Sequence, residues 1–150
     1  MLDLGALLPS IMPAAIAWAE QQSNLVLQTG SVLPPHCIAD ARAVGVLSPE
    51  RIRVVIVAGL PLPTDPMLRN VALSTGLLGP NMVGLTLGHA VIVVQGHDTR
   101  RLMTHEFRHM RQYEVAGSIA SFLPTYLQQI AVFGYEQAPL EVDARQHEIH

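Results

Sequence analysis

The run Thr104-His-Glu-Phe-Arg-His-Met110 constrains this chain more than any other feature. Histidines four residues apart on a helix stand one turn apart on the same face, so both imidazoles can reach one metal ion. The surroundings support a helix: Leu102, Glu106, His109 and Tyr113 recur at helical spacing, Asp98 or Thr99 supplies a cap, and Gly117 supplies a stop. This predicts a helix from Arg100 to about Ala116. Two solvated histidines beside an ordinary glutamate would be the plainer reading. Against it, Leu102, Met110 and Tyr113 flank the motif, and a polar trio on a buried face needs a partner, which a metal provides.

His105 and His109 are therefore candidate zinc ligands, and Glu106 is the candidate catalytic base, placed to take a proton from water without binding the metal itself. A catalytic zinc needs a third protein ligand and one open position. Glu114, five residues beyond His109, points to another side of the same helix. No histidine follows at the metzincin spacing, because the chain continues Met110-Arg-Gln-Tyr-Glu-Val-Ala-Gly117. His97, in Gly96-His-Asp98, reads as a solvated loop residue before it reads as a ligand. Glu141, in the first turn of a later helix that begins at Pro139, fits best. Tyr135, six residues earlier, is a candidate donor to a developing oxyanion, although a tyrosine after a helix-ending glycine more often packs. Tyr113 and Tyr126 read as packing residues for the same reason.

Bulk properties narrow the partners. The chain has 150 residues, enough for one domain with a core. A net charge of -3 and a charged fraction of 14% leave no basic surplus for a phosphate backbone, so nucleic acid is not expected. The apolar fraction is 49%, yet no transmembrane segment is expected: Asp3 opens the longest apolar stretch, Leu2 to Ala19, and Pro9 and Pro13 interrupt it. No basic residue precedes that stretch as a signal peptide would require, and the single cysteine, Cys37, excludes an internal disulfide framework, so a cytoplasmic location is expected. Cys37 reads as a small buried hydrophobe, with only a faint likeness to the latency cysteine of a protease. Oligomeric state has no signature in this sequence.

The remaining elements follow from periodicity and punctuation. Leu2 to Ala19 reads as a loop followed by a core helix from near Pro13 to Gln28, then a Pro34-Pro35 loop and a short helix from Cys37 to Val44. Arg51 to Ala58 is a β-branched run read as a strand buried on both faces. Asp65 and Pro66 start a helix over Met67 to Ser74, and Met82 to Leu87 and Ala90 to Gln95 are two short extended segments divided by Gly88-His89. Ser118 to Phe133 is helical, bent or restarted at Pro124, and the last helix runs from Pro139 through Glu148. The expected fold is α+β, residues 1–150 forming one domain in which a small sheet with one accessible edge packs on the motif helix and the glutamate helix.

The chain resembles a known family in His105, Glu106, His109, Gln112 and Tyr113, the pair Phe122 and Tyr126, and Pro139-Leu-Glu-Val-Asp-Ala144. These residues are similar to the gluzincin-type zinc metallopeptidases, most closely the compact minigluzincins and small bacterial relatives with an HExxH motif. The resemblance covers about Gly84 to Arg145; the amino-terminal third is not diagnostic. It implies a zincin-like domain, Glu141 as third zinc ligand, and hydrolysis of a peptide or protein substrate laid along the strand edge. Arg145 stands where many relatives carry Asp, which bears on the groups around the ligand and not on the ligand. A different class of function, a metal-binding scaffold that recruits a partner without turnover, keeps the same three ligands.

Overall fold

In the computed structural model, which describes residues 3–150, six helices surround a three-stranded sheet in a mixed α+β arrangement. Helix α1, Leu4–Thr29, is capped by the Asp3 carboxylate, which accepts from the Ala6 N–H. The sequence reading began this helix near Pro13, and that is corrected here; Leu2 lies outside the described residues. A stripe of Leu4, Leu8, Ile11, Ala15 and Ala19 is buried at helical spacing. Pro9 and Pro13 both fall on the opposite, exposed face, where carbonyls deprived of their partners can be hydrated. No helix among the described residues is long and apolar enough to cross a membrane.

Helix α2, Pro35–Ala43, starts two residues earlier than expected, because a proline at the first helical position sacrifices no hydrogen bond. A single 3-10 turn, Pro49–Arg51, leads into strand β1, Arg53–Val57. Helix α3, Pro66–Ser74, is capped by Asp65, which accepts from Leu68 N–H. Strands β2, Gly84–Leu87, and β3, Ala90–Val94, form an antiparallel hairpin, and Gly88 takes φ +70° in its two-residue turn, a conformation that costs glycine little.

The strand order is β1-β3-β2, with β1 parallel to β3. The expectation that the first strand is buried on both faces is corrected: β1 is an edge strand, and Ile56 is 49% exposed. The doubly buried strand is β3. Its Val91 and Val93 pack with Phe107, Met103 and Met110 of helix α4, Arg100–Ala116, while Ala90 and Ile92 meet Val26 of α1 on the other face. Ser31 pairs with Val54 through two backbone hydrogen bonds of 2.9 Å and so covers part of the outer edge of β1. Among the described residues, no strand pairs with the outer edge of β2.

Helix α4 has the bounds expected for it, with Thr99 capping Leu102 N–H and Gly117 at φ +98° ending it. Helix α5, Ile119–Phe133, runs through Pro124 without a restart; the carbonyl left unpaired belongs to Ala120, an exposed residue. Helix α6, Pro139–Gln146, packs on α4 and α5, and the last residues turn back along α4, where Ile149 N–H donates to Thr104 Oγ1. Glu148 therefore lies beyond α6 and not within the last helix.

Candidate metal centre

Helix α4 is buried around most of its circumference, so its polar face must be satisfied from within the protein. Phe107 and Met110 anchor one side in the core beneath the sheet. His105, Glu106 and His109 occupy another side at 8%, 5% and 7% exposure, which excludes the reading of two solvated histidines. Glu141, in the first turn of α6, is 2% exposed and meets both rings. His105 Nε2 lies 3.2 Å from Glu141 Oε1 and His109 Nε2 lies 3.0 Å from Glu141 Oε2. One nitrogen from each histidine and a carboxylate oxygen fall within 4.8 Å of one another, the one such grouping of three candidate ligands among the described residues. Ligands on a tetrahedral ion at about 2.0–2.1 Å stand roughly 3.3 Å apart. The two histidine–carboxylate separations, 3.2 and 3.0 Å, are close to that value.

The far ring nitrogens determine what the near ones offer. His105 Nδ1 donates to Glu148 Oε2 at 2.9 Å, and Glu148 also accepts from Arg101. His109 Nδ1 donates to Gln112 Oε1 at 2.8 Å. The orientation of that amide is set by its other end, since Gln112 Nε2 donates to the Leu140 carbonyl and to Asp143 Oδ2, both pure acceptors. Both histidines are thereby held with Nε2, and not Nδ1, facing Glu141, so Nε2 is the atom each could offer to a metal. Two lone pairs and a carboxylate brought together in a buried site require a positive charge among them. Accordingly, although burial opposes the charged form, the hydrogen bond and charge of Glu141 push His109 up to about 9. Burial likewise acts to raise Glu141, but hydrogen bonds from His105 and His109 outweigh it and hold the carboxyl far below the usual carboxylate range.

Glu106 leaves Glu141 to the histidines and turns toward the sheet. Its Oε1 accepts from Thr86 Oγ1 at 2.8 Å, and Thr86 is steadied by Tyr113, whose hydroxyl donates to the Thr86 carbonyl at 3.1 Å. Its Oε2 side packs against Gly84, where an added Cβ would come within 3.1 Å of the carboxylate. Two β2 residues thus shape the position of the glutamate, one by a hydrogen bond and one by having no side chain.

Tyr126, read from sequence as packing, donates its hydroxyl to Glu141 Oε2 at 2.7 Å. Tyr135 lines the same cavity as Glu106 and Glu141, and burial followed by the Glu141 charge pushes its proton affinity up, as burial and the same charge do for Tyr126. Glu114 points away, accepting from Leu47 N–H, Ser48 N–H and His89. His97 is exposed, and Cys37 packs against the core under the sheet, outside the group that could hold a metal. Sequence reasoning missed the roles of Thr86, Gly84 and Glu148, and it read Tyr126 as packing. Gln112, three residues after His109, was legible from helical spacing; the others arrive from distant segments with no local signature.

No match to this chain is found among protein-family profiles, curated proteins or solved structures.

Proposed function

We propose that the protein is a zinc metallopeptidase of gluzincin type, with His105, His109 and Glu141 as metal ligands and Glu106 as the general base. The observation that carries this reading is the convergence of both histidine Nε2 atoms on the Glu141 carboxylate with Glu106 beside them and outside the ligand set. Zinc bound by these residues supplies Lewis acidity, making water acidic enough to yield a nucleophile at neutral pH and polarising a substrate carbonyl.

The chain's own residues account for the rest. Thr86 holds Glu106 Oε1, leaving Oε2 to take a proton from the attacking water and pass it to the leaving amine. Tyr126 holds Glu141, and Gln112 and Glu148 orient the two rings, so the ligands are set in place before any substrate arrives. Tyr135, on the cavity wall, is the proposed donor to the developing oxyanion. The unpaired edge of β2, which begins at Gly84 beside Glu106, suits an extended peptide that pairs through its main chain. Such a substrate is a peptide or protein, and the single cysteine is consistent with work in the reducing cytoplasm.

Metal analysis of the purified protein should find about one zinc per chain, and His105→Ala should remove it. Glu106→Gln should retain the zinc and abolish peptide hydrolysis. Full zinc occupancy with no cleavage of any member of a peptide library would refute the enzyme and favour a metal-bound scaffold.

A further inference from the structure

The groups read as ligands and base are shut in. His105, Glu106, His109 and Glu141 are all buried, and the last three form part of the wall of a cavity of about 130 Å³. A dry cavity of roughly 150 Å³ accepts benzene, so this one has no room for a peptide chain. A substrate reaches Glu106 and the ligands together only when a wall of the cavity moves.

Most of the walls are tied in place by hydrogen bonds. Strand β2 pairs along β3, and Ser23 of α1 donates to the Leu87 carbonyl at 2.8 Å. Tyr113 of α4 donates to the Thr86 carbonyl, and α5 is joined to α6 by Tyr126 on Glu141 and by Gln129, whose Oε1 accepts from Leu140 N–H at 2.9 Å. The remaining wall is the segment between β1 and β2. It contributes lining residues from Pro63 to Met82, among them Leu68, Val71 and Ala72 of α3. Among the described residues, every hydrogen bond of residues 59–82 stays inside the segment, from the Asp65 cap on Leu68 N–H to the bond from Met82 N–H to the Gly79 carbonyl. Among the same residues, no ion pair ties the segment to the rest of the chain.

Apolar contact seats it instead. Leu68 and Val71 share a cluster with Leu4, Leu8 and Ile11 of α1, and Leu60 packs against Val26, Ala90 and Ile92. At Gly59 and Gly79, on either side of α3, an added Cβ would meet nothing within 4 Å, so neither end is wedged by its neighbours. Apolar contact has no direction, whereas a hydrogen-bonded wall must leave polar groups unpaired in order to move. A segment seated in the first way is the one that opens locally, at less cost than unfolding the whole domain.

We propose that residues 59–82 are a lid over the metal-side cavity, lifting off α1 to admit a substrate to the β2 edge and closing again around it. Met82 stands two residues before Gly84, so lifting the segment uncovers the start of that edge beside Glu106. The purpose of the lid rests on the peptidase reading above; its motion does not.

The test uses the full zinc-loaded chain carrying Cys37→Ser and follows the reaction of single engineered cysteines with a maleimide under native conditions. Val71→Cys and Ala72→Cys probe the buried inner face of the lid, and Val91→Cys, in the doubly buried strand, probes unfolding of the domain. With the lid open in about 0.1–10% of molecules, the two lid sites should react at least about 100-fold faster than Val91→Cys, and low urea should accelerate them far less. Equal rates and equal urea dependence at all three positions overturn the proposal. Leu68→Ala loosens the seat on α1 and should raise two rates by the same factor, at least about tenfold: labelling at Ala72→Cys and removal of zinc by o-phenanthroline. Faster labelling without faster removal would show that the segment does not cover the metal site and would overturn the lid. A chain whose lid sites label as expected and which cleaves no peptide refutes the peptidase reading and leaves the lid standing.

Discussion

Replacing Gly84 with alanine isolates the placement of Glu106 from metal binding and from folding. The new methyl carbon would lie 3.1 Å from both Cδ and Oε2 of Glu106 and 3.3 Å from its Cγ. Comfortable contact between such atoms is about 3.5–4.0 Å, so roughly 0.4 Å or more must be found. The β2 backbone cannot yield it cheaply because Gly84 and its neighbours pair with β3. The carboxylate is pinned on its other oxygen by Thr86 at 2.8 Å, so relief turns Oε2 away from its resting position by a few tenths of an ångström. A misplacement of about 1 Å costs on the order of 100-fold in rate, which scales to about a 3- to 10-fold fall in kcat here. Gly84 does not have a positive φ, so alanine is conformationally acceptable, and the gain of about 0.4–1 kcal/mol through the unfolded state offsets part of the strain of the contact. The expected signature is thus a lower kcat with unchanged zinc content and a melting temperature within a few degrees of wild type. Steady-state hydrolysis of a fluorogenic peptide, metal analysis and thermal denaturation measure all three. An unchanged kcat would refute the claim that the bare Cα of Gly84 positions the base, and a loss of zinc would show that β2 acts on the ligands instead.

Other outcomes follow from the same contacts. Tyr126→Phe removes the donor to Glu141 Oε2 and should weaken zinc affinity by about 10- to 100-fold, read by competition with a chelator, while conserving the stacking on Phe122. Gln112→Ala unlocks His109 Nδ1 and the link to Asp143 and should lower zinc affinity over the same range of about 10- to 100-fold, and Gln112→Glu should not rescue it, because its second oxygen would face the Leu140 carbonyl and the Asp143 carboxylate. Glu114→Ala leaves Leu47 N–H and Ser48 N–H without their acceptor and should destabilise by about 1–3 kcal/mol in urea unfolding, without touching zinc content. Burial acts to raise Glu114, but the hydrogen bonds from Leu47, His89 and Ser48 outweigh it and lower its pKa below the usual value. Its contribution is therefore complete above about pH 4.3, the unfolded value, and is lost as pH falls through the lower folded value. The stability gap between wild type and Glu114→Ala should close below that pH, and a gap that persists under acid would place the stabilisation elsewhere.

The local parts of this protein were written in its sequence. Spacing alone put His105, Glu106 and His109 on one helix with the right ends, because a period of 3.6 residues and a pair of caps are properties of neighbours along the chain. The hairpin at Gly88-His89 and the Asp65-Pro66 helix start were legible for the same reason. Local rules also misled. Two prolines argued against a helix over Leu4–Thr29, yet whether a proline breaks a helix depends on whether the carbonyls it frees can reach water, and Pro9 and Pro13 are both exposed. The β-branched run at Arg53–Val57 looked doubly buried, but burial of a strand depends on its rank in the sheet, and that place went to β3.

The surroundings of the motif helix were decided by the tertiary structure. Thr86 reaches Glu106 because β2 packs on α4, Tyr126 reaches Glu141 from α5, and Glu148 reaches His105 from residues beyond α6. None of these pairs shares a period or a turn, so no pattern along the chain announces them. Which side chains could serve as ligands is a matter of chemistry and spacing, which the sequence carries. Its tautomer, its charge and the room beside it are set by whatever folding brings to within 3 Å, and here that means the carboxylate of a distant helix, a threonine on a strand and a glycine with nothing to add.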